Sequence, residues 1–114
     1  MSAEDIKEFY AKFKTDSGKV QQALPDMVKG FMSLFQATMK AGALTIREKE
    51  LVALSVGIAL RCDPCIYLHV QKCLEAGATR EEILEVAAVV TMMQGGPGFT
   101  YTTKVYNALE ALGK

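Results

Sequence analysis

Residues 50–73, ELVALSVGIALRCDPCIYLHVQKC, decide the fold. From Leu51 to Leu60 every residue is apolar, serine or glycine, with no period-two alternation to make a strand. The run suits a helix buried on all sides and is too short for a bilayer, which takes about 20 apolar residues. Just upstream, Thr45-Ile46-Arg47-Glu48 is a capping box, in which the hydroxyl caps an amide and the glutamate reaches back. A helix from there to about Leu60 follows, with Glu50 in its first turn or two. Asp63-Pro64 then restarts the chain as an N-cap and first-turn pair. The next helix runs to Ala76, with Gly77 as its stop.

Working outward, Thr79-Arg80-Glu81-Glu82 repeats the capping box and opens a helix to about Met93. Gln94-Gly95-Gly96-Pro97-Gly98 interrupts the uncharged run Val86–Thr103, so that run is not one helix. Phe99, Tyr101, Val105, Tyr106, Leu109 and Leu112 carry a last helix. At the other end, Ser2 and Asp5 resemble an N-cap, and Ile6, Phe9, Tyr10 and Phe13 recur at helical spacing. The turn-like cluster Thr15-Asp16-Ser17-Gly18 predicts the end of this helix. A short helical piece, Val20–Leu24, leads to Pro25, and Val28, Phe31, Met32, Phe35 and Met39 mark a helix ending at Gly42. The expectation is an all-α fold, a compact bundle of about six to seven helices forming one domain over residues 1–114. Two helices apolar on most sides are hard to cover with so short a chain, which predicts a homo-oligomer.

Thirteen basic and thirteen acidic residues cancel without forming blocks. A nucleic-acid footprint would need a basic stripe, so no nucleic-acid partner is expected. The start MSAEDIKEFYAKFK is polar and acidic, unlike a signal or transit peptide, and the expectation is a soluble, cytoplasmic protein with no membrane partner. Three cysteines do not make a disulfide framework. A C-x-x-C inside the cell points to redox or metal work.

Glu50, Cys62, Cys65 and His69 stand as E-x11-C-x2-C-x3-H, and His69 is the only histidine. One helical turn brings the Cα atoms of Cys62 and Cys65 to about 5–6 Å, within reach of a disulfide. His69, four residues beyond Cys65, lies over the same face, and Glu50 on the preceding helix is a partner for its ring. An ordinary thiol with a pKa near 8.5 is about 3% thiolate at neutral pH; lowering that pKa by about two raises the reactive fraction roughly twenty-five-fold. The helix N-terminus, Arg61 and His69 all act in that direction. A thiolate can attack a peroxide oxygen, leaving a sulfenic acid that the other cysteine condenses with. An external dithiol then reduces the disulfide. The reading assigns Cys65 as the thiol activated by His69, Cys62 as its exchange partner and Glu50 as the group that steadies the ring, with the roles of the two cysteines open to reversal.

The stretch TIREKELVALSVGIALRCDPCIYLHVQKCLEAGATREEILEVAAVVTMMQGGPGF resembles the carboxymuconolactone decarboxylase superfamily, and within it the alkyl hydroperoxidase D-like branch. The resemblance covers roughly Ala23 to Leu112 and rests on the E-x11-C-x2-C-x3-H spacing, EAGATREEILEV and the GGPG break. It implies an all-helical fold assembled as trimers or hexamers, with thiol peroxidase or disulfide reductase activity. By position, Glu50, Cys62, Cys65 and His69 match that branch's relay and redox pair, and the implied partners are a peroxide and a thioredoxin-like or lipoyl-type dithiol protein. One departure stands out: the branch carries a second histidine between its cysteines, where this chain has Asp63-Pro64.

Three rival readings remain. His69 and Glu50 could serve as acid and base in a decarboxylase or isomerase, with the thiols incidental. The pair could be a non-enzymatic redox sensor. C-x2-C-x3-H-x3-C offers zinc ligands, but Cys65 and Cys73 lie about 12 Å apart along one helix and cannot share an ion, which leaves Cys62, Cys65 and His69 with Glu50 as the set a zinc ion could use. The redox reading is preferred to zinc, so no cofactor and no metal are expected, and Cys73 reads as a small buried hydrophobe.

Overall fold

The computed structural model describes residues 2–114, which form six helices: α1 (Ala3–Ala23), α2 (Pro25–Met39), α3 (Ile46–Ala59), α4 (Asp63–Glu75), α5 (Arg80–Gln94) and α6 (Gly96–Ala111). No strand occurs among the described residues, and none of their helices is long and apolar enough to cross a membrane. Ser2, Thr45 and Thr79 each close a complete capping box, so the starts of α1, α3 and α5 are set by three local side-chain exchanges.

Three boundaries differ from the sequence expectation. Thr15-Asp16-Ser17-Gly18 does not end α1, which runs on through the predicted Val20–Leu24 piece to Ala23. The polar side chains of that cluster are satisfied along the helix instead. Ser17 donates to the Lys14 carbonyl at 3.1 Å, and Asp16 pairs with Lys12 at 2.5 Å, one turn back. Seven predicted pieces thus become six. At its far end α2 stops at Met39, short of Gly42, where Lys49 donates to the carbonyls of Thr38 and Lys40 at 2.8 and 2.7 Å and satisfies acceptors the helix leaves open. Gly96-Pro97-Gly98 is the first turn of α6 and only Gly95 separates it from α5. Gly98 is required there, because a Cβ would sit 2.8 Å from the Thr91 Cα of α5.

The core gathers Ile6, Leu54, Ile58, Ile66, Val70 and Leu109, all with no exposed surface. Burying each such side chain stabilises the fold by about 1.5–3 kcal/mol. These residues come from α1, α3, α4 and α6, and α5 adds Ile83, Ala87 and Val90. The helix α2 contributes no buried residue. Nor is α3 buried on all sides: Val52, Val56 and Leu60 face outward in the single chain, because α4, α5 and α6 cover only part of its circumference.

Candidate active site

The site begins at the turn between α3 and α4. The Cys62 amide donates to the Gly57 carbonyl at 3.1 Å and the Arg61 amide to the Ile58 carbonyl at 3.0 Å. This is the paired hydrogen-bond pattern of a Schellman helix end, and it needs a left-handed residue at Arg61, whose φ is 55°. The end of α4 repeats the pattern with Gly77 in the left-handed position, where Ala78 donates to Cys73 and Gly77 to Leu74. An arginine in the place where a glycine is usual carries backbone strain beside the first cysteine.

That turn delivers Cys62 in an extended conformation as the N-cap of α4. Its sulfur accepts from the Cys65 amide at 3.3 Å, and the two cysteines form a disulfide with Cα atoms 5.2 Å apart. The expected cap, Asp63, is instead the first helical residue. Its carboxylate is drawn sideways to Lys104 of α6, 3.0 Å away, and leaves the cap position to sulfur. The first-turn amides of α4 thus point at Cys62, a placement that favours a thiolate there once the bond is reduced. Gly57 makes room for the pair: a Cβ on it would lie 3.2 Å from the Cys65 Cβ.

One turn along α4, His69 Nδ1 lies 2.9 Å from Glu50 Oε1 of α3. The Glu50 side chain is 7% exposed and the His69 side chain 22%. A carboxylate only accepts, so Nδ1 carries the proton of the neutral ring and Nε2 holds the lone pair, the form of a general base. Arg47, a rival partner for Glu50, pairs with Glu82 of α5. The structure therefore brings Glu50 to His69 and Cys62 to Cys65. With the sulfurs bonded to each other, the ring's hydrogen bond goes to the carboxylate and to neither sulfur. Cys73 is fully buried, and desolvation first, then the Glu50 charge, push its thiol up to about 12. It stays protonated and fills the core, as its sequence context suggested.

Two features were not legible beforehand. The Asp63–Lys104 pair joins residues 41 apart in the chain. Lys104 also lies over the Tyr101 ring, 5.5 Å from its centroid, and its hydrogen bond to Asp63 raises its pKa above the ordinary lysine value. The second is a cleft of about 960 Å³ between α1, α2 and α4, lined mainly by apolar side chains such as Phe13, Phe31, Met32 and Phe35, with His69 in its wall. Among the described residues, no group of three or more histidine, cysteine, aspartate or glutamate side chains gathers in a way that could hold a metal ion.

An all-helical fold with a disulfide opening one helix and a histidine–glutamate pair beside it defines a recognisable class. The carboxymuconolactone decarboxylase family model matches residues 25–108, and the chain belongs to that family. It is 34% identical to a carboxymuconolactone decarboxylase family protein of Legionella pneumophila whose crystal structure superposes with a TM-score of 0.91, covering 97% of this chain and 99% of that one. A Thermotoga maritima family member, for which a part in the antioxidative response has been suggested, is 30% identical with a TM-score of 0.79, covering 92% of this chain and 89% of its own. An uncharacterized protein of Cupriavidus necator is 32% identical over 108 residues, 95% of this chain and 96% of the relative.

Proposed function

We propose that this protein is a thiol-dependent peroxidase or disulfide reductase of the alkyl hydroperoxidase D-like branch, working in the cytoplasm as a homo-oligomer. The observation that supports it most is the Cys62–Cys65 disulfide at the N-terminus of α4, one turn before a histidine that a buried carboxylate orients. The antioxidative role suggested for the Thermotoga relative points the same way.

In this reading the reduced Cys65 thiolate attacks the outer oxygen of a hydroperoxide. The O–O bond breaks, the alcohol leaves with a proton from His69, and Cys65 becomes a sulfenic acid. Cys62 then attacks the Cys65 sulfur. The S–OH bond breaks, water leaves with the proton that Cys62 gave up, and the disulfide closes. Two electrons have passed from the two thiols to the peroxide. A thioredoxin-like or lipoyl-type dithiol returns them by exchange, itself becoming a disulfide. Glu50 holds the Nδ1 proton and stabilises the imidazolium whenever His69 is charged. Asp63-Pro64 leaves this relay without a second histidine, so His69 alone serves proton transfer.

A second reading draws on the hydrogen bond from His69 to Glu50 and not to sulfur. Glu50 and His69 then act as base and acid on a carbon substrate, and the thiols are incidental. Peroxide consumption with dithiothreitol as reductant separates the two. On the first reading Cys65→Ser abolishes turnover, and His69→Ala lowers it by about 10²–10⁴-fold while raising the pH at which Cys65 is alkylated. Undiminished turnover in the Cys62→Ser, Cys65→Ser double variant would sink the thiol mechanism.

A further inference from the structure

We infer that Lys104 is a positioning residue for Cys62: it holds the Asp63 carboxylate away from the opening of α4, so that the free amide there is left to sulfur. This rests on the redox reading above, to which it adds a residue of α6. The first turn of α4 has few amides to give. Pro64 has no N–H, the Ile66 amide donates to the Cys62 carbonyl at 2.9 Å, and the Cys65 amide donates to the Cys62 sulfur at 3.3 Å. Sulfur is a weak acceptor and a carboxylate a strong one. Aspartate side chains bond readily to the amide two residues on, and Asp63 stands two residues before Cys65. Its carboxylate is thus the nearest rival for the amide that Cys62 holds. Seated there, it would also set a negative charge against the sulfur and work against a thiolate.

Lys104 removes the rival. Its Nζ lies 3.0 Å from Asp63 Oδ2, and its side chain is only 25% exposed, so solvent screens the pair less than it would a free surface pair. Both ends of the pair are seated. On α6 the ammonium rests over the Tyr101 ring, and Val105, the next residue, has no exposed surface. On α4, Tyr67 stands one turn beyond Asp63 and is buried. Burial raises the pKa of its phenol, while Lys104 lowers it and Asp63 raises it, so both charges of the pair act on this one side chain. Among the other groups near the sulfur, Arg61 is exposed and His69 gives its hydrogen bond to Glu50. Cys62 needs its thiolate form to close the bond on Cys65, and a stabilised thiolate makes the disulfide the stronger oxidant.

In reduced Cys65→Ser the thiol that a reagent meets is Cys62, since Cys73 is buried. The pH dependence of its alkylation by iodoacetamide then reports its acidity. Adding Lys104→Met should move the midpoint up by about half to one pH unit and slow alkylation below that midpoint by about three- to tenfold. Lys104→Arg should restore the wild-type profile. With both cysteines present, Lys104→Met should make the disulfide less oxidising against glutathione. In an Asp63→Ala background the same lysine substitution should change neither readout, because no rival is left to hold off. An unmoved midpoint in Lys104→Met overturns the proposal. So does an equal shift in the Asp63→Ala background, since the ammonium then acts on the sulfur directly. Circular dichroism checks each variant, and if Lys104→Met does not fold, Asp63→Ala alone decides: its midpoint should stand at or below that of the wild type, and a rise overturns the proposal. None of these readouts uses peroxide turnover. The expected shifts in a chain that consumes no peroxide would uphold the role of Lys104 and sink only the peroxidase reading.

Discussion

The α3–α4 turn and the helix α2 both border His69, and they are built on opposite terms. At the turn, Gly57 lets α4 approach α3 closely, paired hydrogen bonds fix the chain, and a sulfur caps the helix. Ile58 and Ile66, on either side of the disulfide, have no exposed surface. Along α2 no side chain is buried and the neighbouring space is a cleft. Reacting groups need positions held to a fraction of an ångström, which a close-packed pair of helices supplies. A surface that meets a partner needs apolar area left uncommitted by the monomer. The difference teaches that the chain packs the surroundings of its disulfide tightly and leaves the apolar side chains of α2 uncovered, with His69 between the two.

Substitutions at the two places can break or sharpen this contrast. The largest difference is expected from paired truncations: Ile66→Ala should cost about 2–5 kcal/mol in urea unfolding, the range for emptying a packed core position. Leu34→Ala on α2 should stay within about 0.5 kcal/mol. Equal costs would mean that α2 is as firmly held as the core. Next comes Gly57→Ala, whose methyl group meets the Cys65 Cβ at 3.2 Å. Overpacking of about 1–3 kcal/mol is expected, together with a shift in the Cys62–Cys65 reduction potential measured against glutathione. An unchanged potential would show that the close approach does not set the geometry of the pair.

Arg61→Gly should stabilise the fold by about 1 kcal/mol in thermal or urea unfolding, because the left-handed conformation costs glycine little. A loss of stability would mean that the arginine side chain holds the turn. The smallest effect belongs to Asp63→Asn. Lys104 has its pKa raised by Asp63 in the folded state, so its contribution is fully present below the unfolded value of about 10.4. It fades as the pH rises through the higher folded value. The stability gap between wild type and Asp63→Asn should therefore be under about 1 kcal/mol at pH 7 and close on the alkaline side. A gap that widens there would place the partner of Asp63 elsewhere.

The starts of α3 and α5 were legible because a capping box is a local exchange between residues three apart, needing nothing from the rest of the chain. The Glu50–His69 pairing was legible for a related reason: two adjoining helices with a short turn leave few ways to house a buried carboxylate. The Thr15–Gly18 cluster misled because turn-forming side chains can also be satisfied along a helix, and only the rest of α1 decides between the two. Which residues of α3 face outward was not legible, because an apolar run does not say which part of its circumference the neighbouring helices cover. Lys104 gave no signal, since its partner lies on another helix, 41 residues away.

Cys73 has a practical consequence for anyone who handles this protein. Reduction of the native chain frees two sulfhydryls that a thiol reagent in the buffer can meet, while the third lies sealed among Val70, Ile83 and their neighbours. A count of two is the mark of an intact molecule. The appearance of a third reports that the centre has opened, which gives the chain its own gauge of unfolding with no added label.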